Sequence, residues 1–560
     1  MMKKNALVWM SLVSIFLNPA LKADTQNLRT VDYVVVGVGT AGAVMAKKLS
    51  NDKKTTVVAI HNGPNLTEDP LIKLSVNAGI TVASALIGPP LYRTGDSIPQ
   101  PNANNREIAW VIARPEGGAS SVNAGAYCRG TNELYAQWEA IAGPNWSVDR
   151  ILKVYKALEK YKGFTNNPAF RGYKGLLDVR QVLNPTDVAL TFNQAVINAT
   201  GFPFVLDYND PTTPIGSSSQ LQYTQNGPDG VFRVSSVNAF LGEDVATFNG
   251  KGVDGRKLAV FTKSSALRTL WKGNKAVGVE YLRDGKKKKI YARKGVIVCA
   301  GLRSSPFLMY SGVGPRALLE SLDIPVIYNN PNVGQGLADQ PAMRTIFISN
   351  PLDTPLEPQN GLFAQISWLP TPGGDPTIRT LRFATVNPVP GITLGLFDLC
   401  QPLSRGSVSI NSTNPLAPPV VDLGVFTNSD DLDLFVQGFQ TYIRNINTAV
   451  QALDPLYELI FPDPEILDDT TALEDFIREN VGCNQHFQSH CRMAPLNQGG
   501  VVNSRGKVYG VRNLYVADDS IVPLCMDGSP MATAYLIAAN VADLIIEKNQ
   551  ENQSILKLSD

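Results

Sequence analysis

The segment DYVVVGVGTAG at residues 32–42 restricts the possible folds of this chain more than any other. A short β-branched run leads directly into Gly37, Gly39 and Gly42, a spacing typical of a buried strand, a tight turn and the start of a helix. The first glycine permits the turn, the second lets backbone N–H groups approach a pyrophosphate, and the third lets helix and strand pack closely. The segment therefore predicts an α/β domain that binds a dinucleotide.

The position after the second strand of this unit carries an unusual residue. An apolar run at residues 57–60 predicts that strand, and such domains usually place an acidic side chain at its end to bind the ribose hydroxyls. Here the position is His61, and a neutral imidazole accepts one hydrogen bond where a carboxylate would make a charge-assisted pair. Glu68 and Asp69 lie slightly downstream and are either substitutes or ordinary loop charges.

Length and charge exclude several classes of partner. A chain of 560 residues, 44% of them hydrophobic, is long enough for two or three domains with a large core. The 50 basic and 49 acidic residues nearly balance, so no overall field attracts nucleic acid or an anionic membrane. Neither of these partners is expected.

The first 23 residues have the pattern of a secretory signal peptide. Lysines at positions 3 and 4 precede an apolar stretch at residues 6–17 and a polar end at residues 18–23. The apolar stretch is short for a membrane span, and no later run reaches that length. The sequence predicts a secreted or periplasmic protein with no membrane attachment after cleavage, and an uncleaved anchor is the alternative.

The six cysteines form no CxxC pair, so no metal site is predicted. In a chain with this much core they are expected to be buried thiols, although an exported protein could pair Cys483 with Cys491.

A second glycine- and serine-rich turn, RPEGGASSVN, lies at residues 114–123. Its small side chains would let backbone N–H groups meet an anion or a flat ring. The region at residues 69–105 is rich in Pro, Gly and Asn and predicts a long surface excursion. Periodicity predicts helices at 131–142 and 148–161, strands at 258–262, 276–282 and 295–301, a hairpin turn before Lys286 to Lys289, and antiparallel sheet within 345–425.

Further segments occur in the order of a known family. They are RVS with AFL at residues 233–241, GLRSSPFLMYSGVGP at 301–315, PNVGQGLADQP at 331–341, SRGSV at 404–408, HFQSHCRM at 486–493 and the closing segment at 514–533. With residues 32–42 and RPEGGASSVNAGAYCRG at 114–130, they make the chain resemble the glucose-methanol-choline (GMC) family of FAD-dependent oxidoreductases. The resemblance implies an α/β fold: a Rossmann-like FAD-binding domain with a discontinuous α+β substrate domain built on an antiparallel sheet.

The resemblance also implies how the domains divide the chain. After a signal peptide at 1–23, the FAD-binding domain would comprise residues 30–150, 226–325 and 491–548. The substrate domain would comprise residues 151–225 and 326–490.

Non-covalent FAD is the implied cofactor, because Val122 occupies the position at which some relatives carry a flavin-attaching histidine. The residues expected to bind it are Gly37, Gly39, Thr40, Ala41, Gly42 and His61 in the first unit, Gly117, Gly118 and Ser120 at the phosphates, Asn123 and Ala124 at the flavin ring, Asp518 at the pyrophosphate end, and Pro530 and Met531.

Only three histidines occur, His61, His486 and His490, and His486 falls on the family's catalytic position. By resemblance, His486 would accept the hydroxyl proton while the carbinol carbon gives hydride to flavin N5. The family's second catalytic position, usually His or Asn, is here Ser529, which is shorter and predicts lower activity. His490 is either a substitute for this second group or a structural residue, and the structural interpretation is preferred.

Three functions follow as hypotheses. The first is an alcohol oxidase or dehydrogenase that acts on a small-molecule alcohol and passes electrons to oxygen or another acceptor. The second is a structural or binding protein that has lost redox turnover, which the departures at His61, Gly336, Gln340 and Ser529 favour. The third is a non-redox member similar to a hydroxynitrile lyase, with the histidine removing a hydroxyl proton.

Overall fold

The computed structural model describes residues 30–78, 82, 91–227, 230–352 and 361–559, without the side chains of residues 76, 552, 553 and 555–559. The predicted signal peptide at residues 1–23 lies outside these ranges. Within them, no helix combines the length and the apolar character that crossing a bilayer requires.

The first glycine-rich segment forms the centre of a seven-stranded sheet. The strands follow the order Leu258–Phe261, Val57–Ile60, Thr30–Val36, Lys286–Val298, Lys275–Arg283 and Ser264–Lys272, with Leu514–Val516 also paired to Lys286–Val298. The pairings along Thr30–Val36 are parallel on both sides, and all its residues after Thr30 are buried. Burial on both faces explains why this strand reads as a continuous β-branched run.

One long strand links the parallel and antiparallel parts of this sheet. The start of Lys286–Val298 pairs antiparallel with Lys275–Arg283, and its later part pairs parallel with Thr30–Val36. The turn from Lys275–Arg283 to Lys286–Val298 consists of Asp284 and Gly285, both with positive φ, as a two-residue hairpin requires. The predicted hairpin before Lys286 is confirmed, and the predicted strand at 295–301 begins earlier and ends at Val298.

Helices cover the sheet. Thr40–Leu49 packs against the C-terminal helix Met531–Ser559, whose N-terminal half is almost entirely buried. The predicted helix at 131–142 is confirmed as Asn132–Ala142, with Thr131 as its N-cap. The other helices are Pro70–Lys73, Ala119–Val122, Val148–Leu158, Asp187–Thr200, Ser236–Phe240, Ser304–Tyr310, Arg316–Ser321, Ser429–Gly438, the π-helical Phe439–Ile443, Arg444–Leu453 and Thr470–Asn480.

The predicted helix at 148–161 is too long. It ends at Leu158, and Glu159–Lys162 is a strand that pairs with Leu177–Gln181. The buried carboxylate of Glu159 bonds to Arg129 and Arg171, and this ion cluster holds the chain in an extended conformation. A long-range charge contact therefore overrides the local helical pattern.

A second seven-stranded sheet is antiparallel throughout. Its order is Glu458–Phe461, Pro341–Ile348, Ile392–Leu399, Leu381–Val389, Gln365–Leu369 and Gly216–Ser218, with Gly482–Cys483 also paired to Pro341–Ile348. A separate core, rich in phenylalanine, packs between this sheet and the helices Asp187–Thr200 and Ser429–Gly438. The two sheets confirm the predicted fold class, while the exact domain boundaries stay a prediction.

The segment at 69–105 is more than the predicted surface excursion. Its strand Tyr92–Asp96 pairs with Ala109–Ala113, and Ile72, Leu91 and Tyr92 form a small buried cluster with Val122. Residues 79–81 and 83–90 of the segment lie outside the described ranges. The remaining short strands are Gln222–Tyr223, Gln225–Asn226, Phe232–Arg233, Val313–Gly314, Tyr328–Asn329, Gln335–Leu337, Gly406–Ser409 and Val420–Asp422.

All six cysteines are free thiols, so Cys483 and Cys491 are not joined by a disulfide. Five of the thiols are buried and Cys483 is half-buried. No cluster of three or more His, Cys, Asp or Glu side chains suited to a metal ion occurs within the described ranges.

Candidate active site

The first glycine-rich turn is built around contacts that only glycine permits. Gly37 has φ +95°, and a Cβ there would lie 2.3 Å from the Cys299 carbonyl oxygen. A Cβ on Gly42 would lie 1.9 Å from the Gly37 oxygen. The helix Thr40–Leu49 then begins without a side-chain cap on Gly39, so its first N–H groups are open to an anion.

The two glycine-rich turns are in direct contact. The Gly117 N–H donates to the Val38 oxygen at 2.8 Å, and the Thr40 hydroxyl donates to the Gly117 oxygen at 3.3 Å. The Ser120 N–H donates to the Thr40 hydroxyl oxygen at 3.2 Å. A Cβ on Gly118 would lie 2.8 Å from the Gly39 Cα, which explains why the second turn carries glycine at this position. The predicted phosphate-binding residues of both turns therefore lie together.

His61 joins these turns to each other. The Val38 N–H donates to Nδ1 at 3.2 Å, and Nε2 lies 2.9 Å from the Arg114 carbonyl oxygen, to which its N–H donates. Both ring nitrogens are thus used by backbone groups. The predicted acceptance of a ribose hydroxyl by His61 requires that the bond to Val38 be given up.

Because His61 is buried, we expect it to make the protein less stable in acid. Burial lowers its pKa from 6.5 to about 4, so the unfolded chain binds this proton at a higher pH than the folded chain does. The stabilisation is complete above pH 6.5 and is lost as the pH falls towards 4, a change of about 3 kcal/mol.

The variant His61→Gln tests this expectation, since its amide can accept from Val38 and donate to Arg114 without titrating. Urea unfolding of both proteins from pH 7 to pH 4 should show wild type losing about 3 kcal/mol relative to the variant. Parallel pH profiles for the two proteins would exclude His61 as the source.

Glu116 is a buried carboxyl in the second turn. It is 4% exposed, its Oε1 has no hydrogen-bond partner among the described residues, and burial raises its pKa to about 7. In the sequence, Glu116 stands where the first signature of the resembled family usually has an aliphatic residue. Its burial could not be predicted from that motif.

Asp518 connects the closing segment to the second family signature. Its Oδ2 accepts from the Gly301 N–H at 2.9 Å and from the Ser304 hydroxyl at 2.6 Å. Its Oδ1 accepts from the N–H and the hydroxyl of Ser520. Asp518 therefore fixes the backbone at the end of the strand Lys286–Val298, and its contact with a pyrophosphate stays a prediction.

The residues predicted at the flavin ring also lie together. The Asn123 amide donates to the Met531 sulfur at 3.2 Å, and its oxygen accepts from the Gly125 N–H at 2.9 Å and from the Arg233 guanidinium at 3.2 Å. Ala124 lies between these bonded residues, and Pro530 accepts from the Ala534 N–H at the start of the C-terminal helix. These bonds connect the second glycine-rich turn to the C-terminal helix.

His486 is held from both its backbone and its ring. Its N–H donates to Asp339 Oδ1 at 2.6 Å, and its Nδ1 lies 2.6 Å from the Gln340 side-chain oxygen, an acceptor. Nδ1 therefore carries the ring proton, and Nε2 keeps a free lone pair. Burial and the nearby charge of Arg382 lower the pKa of His486 to about 3, so the ring is neutral at physiological pH.

Gln340 is a positioning residue rather than a defect in the motif. Its amide nitrogen donates to the carbonyl oxygens of Cys400, Met526 and Gly528, at 2.8, 2.8 and 3.2 Å. These three bonds orient the amide so that its oxygen faces His486. Gln340 thereby links the predicted base to the segment that carries Ser529.

Ser529 is bound by an arginine that the motifs do not indicate. Arg382 Nη1 donates to the Ser529 hydroxyl oxygen at 2.5 Å, and Arg382 Nε donates to Asp398 Oδ2 at 2.5 Å. Arg382 is 2% exposed and Asp398 is fully buried. The residue at the predicted second catalytic position is therefore a serine in contact with a buried ion pair.

His490 has a separate environment. Its Nδ1 shares a hydrogen bond with the Ser305 hydroxyl at 2.8 Å, and burial lowers its pKa to about 3. Its carbonyl oxygen accepts from the Gly334 N–H at 2.8 Å. These contacts agree with the structural interpretation.

Two family models describing GMC oxidoreductases match this chain, at residues 31–342 and 402–538. The chain belongs to the GMC oxidoreductase family. An uncharacterised GMC-type oxidoreductase of Mycobacterium tuberculosis (strain ATCC 25618 / H37Rv) is 30% identical over 559 residues, covering 93% of this chain and 99% of the relative. The alcohol dehydrogenase (acceptor) of Pseudomonas putida is 29% identical, covering 92% and 96%. An FAD-dependent oxidoreductase from Chaetomium thermophilum has the same fold, with a TM-score of 0.82 and 24% identity, covering 93% of this chain and 100% of that one.

The residues of this GMC oxidoreductase fit the FAD that its family implies. An uncapped helix N-terminus at Gly39 offers backbone N–H groups to a pyrophosphate, and the second turn adds Gly117 and Gly118 beside it. The orphaned carboxylate oxygen of Glu116 in the same turn is a buried acceptor suited to a hydroxyl group.

Two residues of the site were not predicted from the sequence of this GMC oxidoreductase. Gln340 was visible only as a departure from the usual histidine, and Arg382 lies in no motif. Arg382 and Ser529 are 147 residues apart, and Gln340 and His486 are 146 residues apart. The pairing of Gly482–Cys483 with Pro341–Ile348 brings His486 to Gln340, whereas Ser529 lies in a loop that meets the strand of Arg382 through tertiary packing.

Proposed function

We propose that this protein oxidises a small alcohol, with non-covalently bound FAD as hydride acceptor and His486 as the base. The observation that supports this most directly is the hydrogen bond from His486 Nδ1 to Gln340, because it leaves Nε2 as an acceptor. Oxygen or another acceptor would then reoxidise the flavin. The relative named alcohol dehydrogenase (acceptor) supports this substrate class.

FAD, when bound, supplies the acceptor for the hydride of the carbinol carbon. The chain itself would hold the pyrophosphate with Thr40, Ala41 and the second turn, and His486 Nε2 would be the proton acceptor. The substrate hydroxyl would donate to Nε2, so its proton passes to the imidazole as the carbon–hydrogen bond breaks. The Ser529 hydroxyl would orient the same oxygen.

The low pKa of His486 is compatible with this role. Burial keeps the imidazole neutral, and a neutral ring can accept a proton at any pH well above 3. The Asp339 carboxyl accepts the His486 backbone N–H and so fixes the backbone that carries the ring.

One structural feature favours the alternative of a binding protein without redox turnover. Both nitrogens of His61 are engaged by the backbone, which leaves neither free for a ribose hydroxyl. A protein of this kind would reduce no flavin with alcohol, whether or not it binds FAD. The hydroxynitrile-lyase-like alternative would retain flavin that no alcohol reduces.

The visible spectrum of the purified protein separates these functions. We expect a yellow protein whose flavin absorbance is lost when primary alcohols, benzylic and aliphatic, are added without oxygen. Colourless protein that FAD does not reconstitute contradicts both enzyme functions, and yellow protein that no alcohol bleaches favours the lyase or the binding protein. Release of the flavin on denaturation checks that it is non-covalent.

We also propose that the mature protein is secreted or periplasmic, on the basis of the signal-peptide pattern at residues 1–23. N-terminal sequencing of the mature protein should begin at or close to residue 24, and an intact Met1 would contradict export by cleavage.

A further inference from the structure

Arg382 is the only charged side chain that hydrogen-bonds Ser529 among the described residues, and it comes from the second sheet rather than from a family motif. It lies in the strand Leu381–Val389, where it pairs with Asp398 on the neighbouring strand Ile392–Leu399. Two of its nitrogens, Nε and Nη2, bond to Asp398 Oδ2, and the third, Nη1, donates to the Ser529 oxygen. The guanidinium is thus fixed between an acid on one side and a serine on the other.

The bond from Arg382 determines what Ser529 can do. Its oxygen already accepts from Nη1, so its own O–H is directed away from the arginine as a donor. The thiol of Cys128 lies beside Ser529 and is a weak acceptor that a substrate oxygen can replace. A hydroxyl that accepts from a guanidinium is also polarised, which makes it a stronger donor.

The position of the ion pair gives this polarisation a direction. Asp398 is fully buried, and the Asn484 side chain also interacts with its carboxylate. The pair is neutral in sum, but its positive end faces Ser529 and its negative end points away. Because the pair is buried, this dipole acts at low dielectric and is preorganised.

We infer that Arg382 is a positioning residue that acts through Ser529, so that a polarised serine hydroxyl stabilises the negative charge on the substrate oxygen as its proton leaves for His486. This inference rests on the proposed alcohol oxidation. It assigns to Arg382 and Ser529 together the role for which the family usually uses one His or Asn. The substrate class that fits is a carbinol whose oxygen sits between His486 Nε2 and the Ser529 hydroxyl.

The same charge acts on the base. Besides Arg382, the charged group in contact with His486 is Asp339, which accepts its backbone N–H and whose pKa burial raises to about 6. The positive charge of Arg382 contributes to the low pKa of His486. Removal of that charge should therefore raise the pH at which activity is lost on the acid side, a change that a merely structural residue would not produce.

The test uses the FAD-loaded protein and an alcohol that bleaches it, and measures the limiting rate of flavin reduction without oxygen. Arg382→Met and Ser529→Ala should each lower this rate by about 100-fold, with the alcohol concentration at half-saturation little changed. The double variant should be no more than about tenfold slower than the slower single variant, because the two residues act as one unit. Arg382→Met should also move the acid limb of the rate profile to higher pH.

Three further variants separate this role from folding. Arg171→Met removes another buried arginine, bonded to Asp207 at 2.9 Å, and should lose stability while its folded fraction reduces flavin at the wild-type rate. Arg382→Lys keeps the positive charge but lacks the planar guanidinium that bonds Asp398 and Ser529 together, and it should retain part of the rate of flavin reduction. Ser529→Asn can accept from Arg382 and donate to the substrate, and should match or exceed wild type.

Several results overturn the inference. The first is a wild-type rate of flavin reduction in folded Arg382→Met. The second is a double variant whose loss of rate is the product of the two single losses, and the third is an acid limb of the rate profile that Arg382→Met leaves unchanged. If Arg382→Met does not fold, wild-type rates in both Arg382→Lys and Ser529→Ala overturn it instead. A wild type that no alcohol reduces overturns the proposed function, and this inference with it, whereas normal wild-type reduction with an unaffected Arg382→Met overturns the inference alone.

Discussion

Replacement of His486 by alanine is expected to lower the rate of flavin reduction by about 10³-fold or more while FAD stays bound. In the proposed mechanism Nε2 accepts the substrate proton, and the variant leaves no imidazole bonded to Gln340. It would also remove the group whose proton uptake accompanies hydride departure. The measurement is the rate of flavin bleaching under anaerobic alcohol, together with the flavin content of the purified variant.

His490→Ala is the matched control for His486→Ala. Both histidines have pKa values lowered to about 3 and are neutral, His490 is buried and His486 half-buried, and each uses Nδ1 in a hydrogen bond to a side chain. We expect His490→Ala to lose stability and to reduce its flavin at a rate within about threefold of wild type, since it touches no predicted substrate position. Normal reduction in His486→Ala would exclude His486 as the base, and loss of bound flavin would mean that the variant reports on cofactor binding instead.

Local sequence was sufficient for the first glycine-rich unit. The run Val34 to Val36 had to be buried on both faces, and the spacing of Gly37 and Gly42 reflects contacts of about 2 Å that no Cβ could occupy. The hairpin at Asp284 and Gly285 was predictable for the same reason, because its conformation needs positive φ. In each case the cause lies within a few residues of the effect.

The rest depended on contacts between distant segments. The strand at Glu159 is extended because its carboxylate meets two arginines, and the helical periodicity of the preceding residues contains no sign of them. The role of Gln340 requires three carbonyl groups from other segments, and that of Arg382 requires the register of two strands. Such arrangements are properties of the packed sheet, which pattern and spacing do not encode.

Three of the residues that differ from the family motifs share a physical feature. His61, Gln340 and Ser529 each make specific hydrogen bonds, to the two glycine-rich turns, to His486 and to Arg382 respectively. Buried polar groups without such partners would each cost about 1–3 kcal/mol. Specific hydrogen bonds at these three positions are expected of an altered but integrated site rather than of accumulated damage, and they support the proposed alcohol oxidation over a protein that has lost its chemistry.

Gln340→Leu is expected to lower flavin reduction by about 100-fold and to destabilise the protein by about 3–5 kcal/mol. Leucine offers no acceptor to His486 Nδ1, so the ring loses the bond that fixes its tautomer and orientation. It also leaves the carbonyl oxygens of Cys400, Met526 and Gly528 without their shared donor. The two losses have separate readouts, the rate of flavin reduction by alcohol and the free energy of unfolding in urea.

Two replacements at position 340 separate the role of the side-chain oxygen, which accepts from His486, from that of the side-chain nitrogen, which donates to the three carbonyl groups. Gln340→Glu keeps an acceptor for Nδ1 but presents oxygen to the three carbonyl groups, so we expect near-normal reduction in a protein about as unstable as Gln340→Leu. Gln340→His, the usual family residue, can donate with one ring nitrogen and accept with the other, and should recover part of both properties. If Gln340→Leu reduces its flavin at the wild-type rate, the bond to Nδ1 does not position the base, and His486 must be oriented through its backbone contact with Asp339 alone.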